Sequence, residues 1–123
     1  MAVLIDTNII ARILAGDIGL AKMVINLDDP VINAIVWIET IQGSKSKSEI
    51  RSIEQYLDSY QLIPIDDEVS EEARRLIKQY SNSHGLMLAD SIVAATCVVY
   101  NLELLTLNLK HFRFVSGLKL LRI

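Results

Sequence analysis

Only one cysteine, two prolines and five glycines occur among the 123 residues, and each shortage removes a class of molecule. A lone cysteine excludes a disulfide framework within the chain, and Cys97, set in an apolar stretch with no Cys or His at ligand spacing, reads as a small core residue. Proline and glycine are too scattered to form a linker, and no repeat or low-complexity segment is present. No run of about 18 apolar residues exists to span a bilayer. The amino terminus lacks a basic segment followed by an apolar run and cleavage site, so the expected location is the cytoplasm, away from the membrane. Basic excess is also missing: 12 Lys and Arg stand against 15 Asp and Glu, a net charge of -3, which argues against a nucleic-acid coating protein. Local basic clusters do occur at Lys45, Lys47 and Arg51, at Arg74, Arg75 and Lys78, and at Lys110 and Arg113. Each alone reads as a solvated face.

What the chain has in quantity is apolar residues, 51% of the total. At this length they suit one domain, residues 1–123, around one core. Ala2 to Ile5 is an uninterrupted apolar run and reads as a strand buried on both faces. Further strands are expected at Val31 to Ala34, Leu62 to Ile65, Leu104 to Thr106 and Leu118 to Leu121. Between them, helical spacing or stop signals predict helices at Thr7 to Leu14, Ile18 to Leu27, Ile35 to Gln42 and Ser48 to Tyr60. Asp66 or Asp67 caps another that ends near Tyr80. Ser81 to Gly85 reads as a turn, Leu86 to Tyr100 as a central buried helix, and Lys110 to Phe112 as one helical turn. Strands alternating with helices predict an α/β fold: a mainly parallel sheet between two helical layers.

Four oxygen-bearing side chains break this apolar pattern. Asp6 follows the first strand in LIDTNII, where sheets of this kind bind ligands beyond the carboxyl ends of their strands. Asp90 interrupts LADSIVAATCVV, and a carboxylate withdrawn from water costs several kcal/mol unless it is paired, hydrogen-bonded or bound to a cation. Glu39 sits among Val36, Trp37, Ile38 and Ile41 in VWIETIQG. Asn108 follows the fourth strand as Asp6 follows the first. Acids gathered on one rim repel unless a divalent cation neutralises them, and hard oxygen donors favour Mg²⁺ or Mn²⁺ over zinc. An N-cap role for Asp6 and an Arg partner for Glu39 stay open at this level. His84 and His111, isolated in sequence, read as turn or surface residues.

LIDTNII, VWIETIQG, HGLMLADSIVAATC and LLTLNLKHFRFVSGLKLL, in that order and spanning essentially the whole chain, make the sequence resemble the PIN-domain family, and within it the VapC-like toxins of prokaryotic toxin–antitoxin pairs. The resemblance implies a three-layer α/β/α sandwich and a Mg²⁺- or Mn²⁺-dependent endoribonuclease. Asp6, Glu39 and Asp90 would be its catalytic and metal-holding acids, and Thr7 and Thr106 its supporting residues. Where the family often has a fourth acid, this chain has Asn108, which offers a neutral oxygen and no charge. The resemblance further implies an RNA substrate, a homodimer and a cognate antitoxin; Trp37, Ile38, Ile41, Ile50, Ile53 and Leu57 make two neighbouring apolar helices that read either as a groove for such a partner or as ordinary core. Lys45, Lys47, Arg51, Lys110 and Arg113 are the candidates for drawing RNA to an acidic site. Hydrolysis by activated water also fits the lack of a Ser-His or Cys-His arrangement.

Two other readings compete. One is a non-catalytic PIN-like module that binds RNA or protein, suggested by Asn108. The other is an aspartyl phosphoacceptor, since phosphatases and receivers also place an Asp after a parallel strand. Against it, position 8 is Asn where a phosphatase would carry a second Asp.

Overall fold

The computed structural model describes residues 1–122. β1 (Val3–Ile5) is buried at every position and lies at the centre of a five-stranded sheet, paired in parallel with β2 (Pro30–Asn33) on one side and β4 (Glu103–Leu105) on the other. β3 (Gln61–Ile63) adds outside β2 and β5 (Lys119–Leu120) outside β4, so the order is β3-β2-β1-β4-β5, all parallel. The chain builds outward from β1 to β3, then crosses back to β4. The order therefore reverses between β1 and β4, and the crevice outside their carboxyl ends is the place where such a sheet receives a ligand.

Helices flank this sheet, and the predicted α/β class with a parallel centre is the observed one. α1 (Thr7–Leu14) and α2 (Ile18–Ile25) follow β1, α3 (Ala34–Gln42) and α4 (Lys47–Leu57) follow β2, and α5 (Asp67–His84) and α6 (Leu88–Tyr100) lie between β3 and β4. The core is aliphatic: Leu4, Ile5, Ile9, Ile10, Ile32, Leu76, Leu104 and Leu105 are fully buried, and Phe112 plugs one end from beyond β4. Among the described residues no helix is long and apolar enough to cross a membrane.

Caps fix where the helices start. Asp6, Asp17, Asn33, Ser46 and Asp66 each occupy an N-cap and accept a backbone N–H from the first turn. Asn33 does more, because its amide also donates to Thr96 Oγ1 of α6 at 3.0 Å inside the core. A single buried side chain thus ties the start of α3 to the middle of α6.

Boundaries depart from expectation in several places. The expected turn at Ser81 to Gly85 is helix up to His84: the polar residues there are mostly solvent-facing and leave the ladder intact until Gly85. Gly85, at φ +71°, then closes the helix, with its N–H donating to Ser81 and that of Leu86 to Tyr80. α6 begins at Leu88 rather than Leu86, and its start is open to solvent: the N-cap Met87 and Leu88 are 71% and 73% accessible and Ala89 and Asp90 are half-buried, so the central buried helix is Ser91 to Cys97 only. α4 starts one residue early on its Ser46 cap and stops at Leu57, three short of Tyr60. β2 begins at Pro30, tolerated as a first strand residue, and ends at Asn33 because that residue caps α3. β3 and β5 are likewise shorter or shifted, since a parallel ladder ends where its partner does.

Candidate active site

Asp6 stands at the carboxyl end of β1, 6% exposed, with each carboxylate oxygen engaged. Oδ1 accepts the N–H of Thr7 at 2.8 Å as the α1 cap. Oδ2 accepts Thr106 Oγ1 at 2.8 Å from the end of β4, and Asn8 Nδ2 at 3.3 Å. The cap reading of Asp6 is therefore half the answer, since its second oxygen reaches across the switch point to the neighbouring strand. Asn8 closes the arrangement: its amide also donates to Thr106 Oγ1 at 3.2 Å, and its carbonyl accepts the N–H of Leu107 at 3.0 Å. Thr106 Oγ1 further accepts the N–H of Asn108 at 3.1 Å. The first turn of α1 and the loop after β4 are thereby laced together around one carboxylate.

Glu39, on α3, has no Arg partner among the described residues. Its Oε1 accepts Thr7 Oγ1 at 2.7 Å, so Thr7 holds Asp6 through its backbone and Glu39 through its side chain. Asp90 lies in the first turn of α6, where the helix dipole favours a negative charge, and its Oδ2 is 3.3 Å from His111 Nδ1. Burial raises the pKa of Asp6 above its ordinary value, the bonds from Thr106 and Thr7 pull it back, and the charges of Asp90 and Glu39 push it further up. Burial likewise raises Asp90, with His111 opposing and Glu39 adding to the rise. Asp6 thus carries the repulsion of Asp90 and Glu39, and Asp90 that of Glu39.

Among the described residues no three His, Cys, Asp or Glu side chains are already drawn together as a metal-ligand set. The donor chemistry nevertheless fits a hard divalent cation: three carboxylates with no Lys or Arg paired to any of them among the described residues, and one of them buried at a raised pKa. A cation there would relieve both the repulsion and the burial cost.

A sequence profile described as the PIN domain matches residues 3–117. The chain belongs to the PIN-domain family. Ribonuclease VapC19 of Mycobacterium tuberculosis is 29% identical over 121 residues, covering 94% of this chain and 96% of that protein. Ribonuclease VapC of Rickettsia bellii is 28% identical over 131 residues, covering 100% and 97%. Among solved structures, a toxin–antitoxin complex from Klebsiella pneumoniae superposes with a TM-score of 0.81 at 26% identity over 94% of each chain. DNA-bound VapBC from Salmonella typhimurium does so at 0.83 and 17% identity over 98% of this chain and 97% of that one, a likeness of fold.

On this PIN fold the remaining predicted residues scatter. Asn108 is exposed just beyond the Thr106 bond. Lys110 borders a small hollow with Asp90 and His111, and Arg113 is exposed just past the same turn. Lys45, Lys47 and Arg51 are exposed on the α3–α4 connection and on α4, whereas Glu39 lines a separate hollow with Thr7, Ala11, Gly43 and Ile53. Of the apolar set read as groove or core, Ile53 and Leu57 are core, Trp37, Ile41 and Ile50 are half-buried, and Ile38 is 52% exposed. Asn8 is a member of the site that sequence reading passed over, and His111, read as a turn or surface residue, does lie exposed on a 3-10 turn but also faces Asp90. His111 carried a usable signal, since it sits five residues after Thr106 on the loop leaving the switch point.

Proposed function

We propose that this PIN-domain chain is a Mg²⁺- or Mn²⁺-dependent endoribonuclease, a VapC-like toxin restrained by a cognate antitoxin. The observation that carries the reading is the Thr106 bond to Asp6 across the β1–β4 crevice, on the rim where Asp90 and Glu39 meet the same carboxylate's field. Asp6, Asp90 and Glu39 would hold the cation, which when bound supplies acidified water for attack on a phosphodiester and positive charge for the phosphoryl oxygens. The chain's own work is orientation. Thr7, Asn8 and Thr106 fix the rotamer of Asp6, Thr7 fixes Glu39, and His111 steadies Asp90 on its outer side. Names borne by relatives support the rest: ribonuclease for VapC19 and VapC, and toxin–antitoxin complex for the Klebsiella structure. The same reading takes residues 1–123 as one nuclease domain that works in the cytoplasm as a homodimer.

The test is RNA cleavage by purified chain, free of any antitoxin, with Mn²⁺ titrated in, alongside Asp6→Ala and Asp90→Ala. Cleavage that needs Mn²⁺ and both acids supports the enzyme. A second reading, a non-catalytic module that binds RNA or protein, is favoured by Asn108, which adds no charge where the family often has an acid. RNA binding without cleavage at any Mn²⁺ concentration would establish it.

A further inference from the structure

Beside Asp90 lies a hollow of about 160 Å³ that the metal chemistry leaves unused, walled by His84, Leu86, Met87, Asp90, Lys110 and His111. It is roughly half the smallest ordinary small-molecule pocket, about 300 Å³. It forms where α5 ends sharply at Gly85, the chain turns back into α6, and the short 3-10 turn Leu109–His111 comes alongside. Its walls divide by chemistry. His84 stacks on Phe114, with ring centroids 4.5 Å apart and planes 17° from parallel, and meets Tyr80 edge-on at 5.6 Å. Its Nδ1 is 2.8 Å from Ser83 Oγ, so this exposed imidazole is held in one orientation before any ligand arrives. Met87, next to it, is an apolar side chain 71% in water, with a soft thioether suited to lying on a flat ring. Lys110 supplies an exposed ammonium that makes no ion pair among the described residues. A planar apolar ligand portion and an anionic portion are thus provided for at neighbouring points, next to an acid of the reaction rim.

We infer that this hollow seats one nucleotide of single-stranded RNA flanking the scissile bond, with its base against Met87 and His84 and its phosphate at Lys110. The proposal rests on the ribonuclease reading and adds to it a subsite. Only an unstacked base enters so small a space, so the strand must be single there. Stacking on a side-chain face tolerates any base, and selection comes from fit beside Asp90. The seat would therefore set which bond reaches the acids.

The experiment uses the full chain with Mn²⁺ and an end-labelled single-stranded oligoribonucleotide, following KM, kcat, the ladder of cleavage positions and the salt dependence of binding. The variants are His84→Ala, Met87→Ser, Met87→Leu, Lys110→Gln and, as a control cation outside the hollow, Lys22→Gln, each matched to the parent by circular dichroism. His84→Ala and Met87→Ser are expected to raise KM about tenfold with kcat nearly unchanged and to redistribute the cleavage positions, while Met87→Leu retains the parent pattern. Lys110→Gln should flatten the log–log salt slope by about 0.7, the signature of one lost phosphate contact on a single strand, and Lys22→Gln should not. Cleavage with unchanged KM, ladder and salt slope in the His84, Met87→Ser and Lys110 variants overturns the seat and leaves the ribonuclease standing. Binding weakened by the same variants in a parent that cuts nothing overturns the ribonuclease and, with it, the seat's place beside a scissile bond. A parent that neither binds nor cuts RNA overturns both.

Discussion

The two aspartates of the rim are held in opposite ways. Asp6 is buried, anchored at both oxygens by Thr7 and Asn8 in the first turn of α1 and by Thr106 just after β4, and has no freedom to move without breaking the link between β1 and β4. Asp90 rides on the partly exposed first turn of α6, a helix without a side-chain cap, and its one side-chain partner among the described residues is an imidazole that is itself half exposed. Under the proposed ribonuclease reading the contrast would be a division of labour: a preorganised carboxylate that defines the site, and an adjustable one that completes it when cation and substrate bind. Preorganised charge works without reorganisation at the moment of reaction, which is where its catalytic value lies.

The sharpest break in this comparison is to delete the fixed member. Asp6→Ala is expected to lower RNA cleavage by about 10³-fold or more, on the scale of losing a group that stabilises transition-state charge, measured as kcat/KM at saturating Mn²⁺. Asp6 can also be kept and merely unclamped. Thr106→Val removes the hydroxyl that serves Asp6, Asn8 and Asn108 together, and should cost about 10- to 100-fold in Mn²⁺ affinity or activity, as loss of an outer supporting bond does. The companion variant Asn33→Ala leaves the acids untouched but loses the α3 cap and the buried bond to Thr96. Urea denaturation should show a loss of about 1–3 kcal/mol.

The buried acids also predict a pH effect in metal-free protein. Asp6 and Asp90 have folded-state pKa values above their ordinary 3.8. The folded state therefore binds their protons more tightly than the unfolded chain. Their stabilising contribution is complete below the ordinary value and is lost as pH rises through the folded values. In EDTA, the melting temperature should fall as pH rises above the ordinary carboxylate value, and Asp6→Asn should shrink that fall. Mn²⁺ at 100 times its dissociation constant should restore about 2.7 kcal/mol at the higher pH. The smallest effect belongs to the adjustable member: His111→Ala, removing a partly exposed partner, should change stability by less than about 1 kcal/mol and activity only severalfold.

What could be read from the sequence follows the same division. The Asp6 side was legible because a buried central strand writes itself as an unbroken apolar run, and the first polar residue after it must lie at the strand's end. Glu39 and Asp90 were legible as charges amid apolar residues. Asn8 was quoted within LIDTNII yet passed over as a partner, because hydrogen bonds that span 98 and 99 residues leave no periodic trace. The Asn33–Thr96 link is hidden for the same reason, although a polar residue at a strand end is a hint of a cap. The turn expected at Ser81 to Gly85 failed because weak helix formers on a solvent face do not end a helix that is packed on its other side, and only Gly85 did. The partly exposed first turn of α6 was misread as buried because its composition is as apolar as the rest, and burial there depends on neighbours that α6 has only from Ser91 onward.

Isothermal titration of Mn²⁺ into the parent chain and into Asp6→Ala, Glu39→Ala and Asp90→Ala tests most directly that the three acids share a divalent ion. The account predicts saturable binding in the parent that weakens sharply in every one of the three. Binding of equal strength in the parent and in all three variants would contradict it.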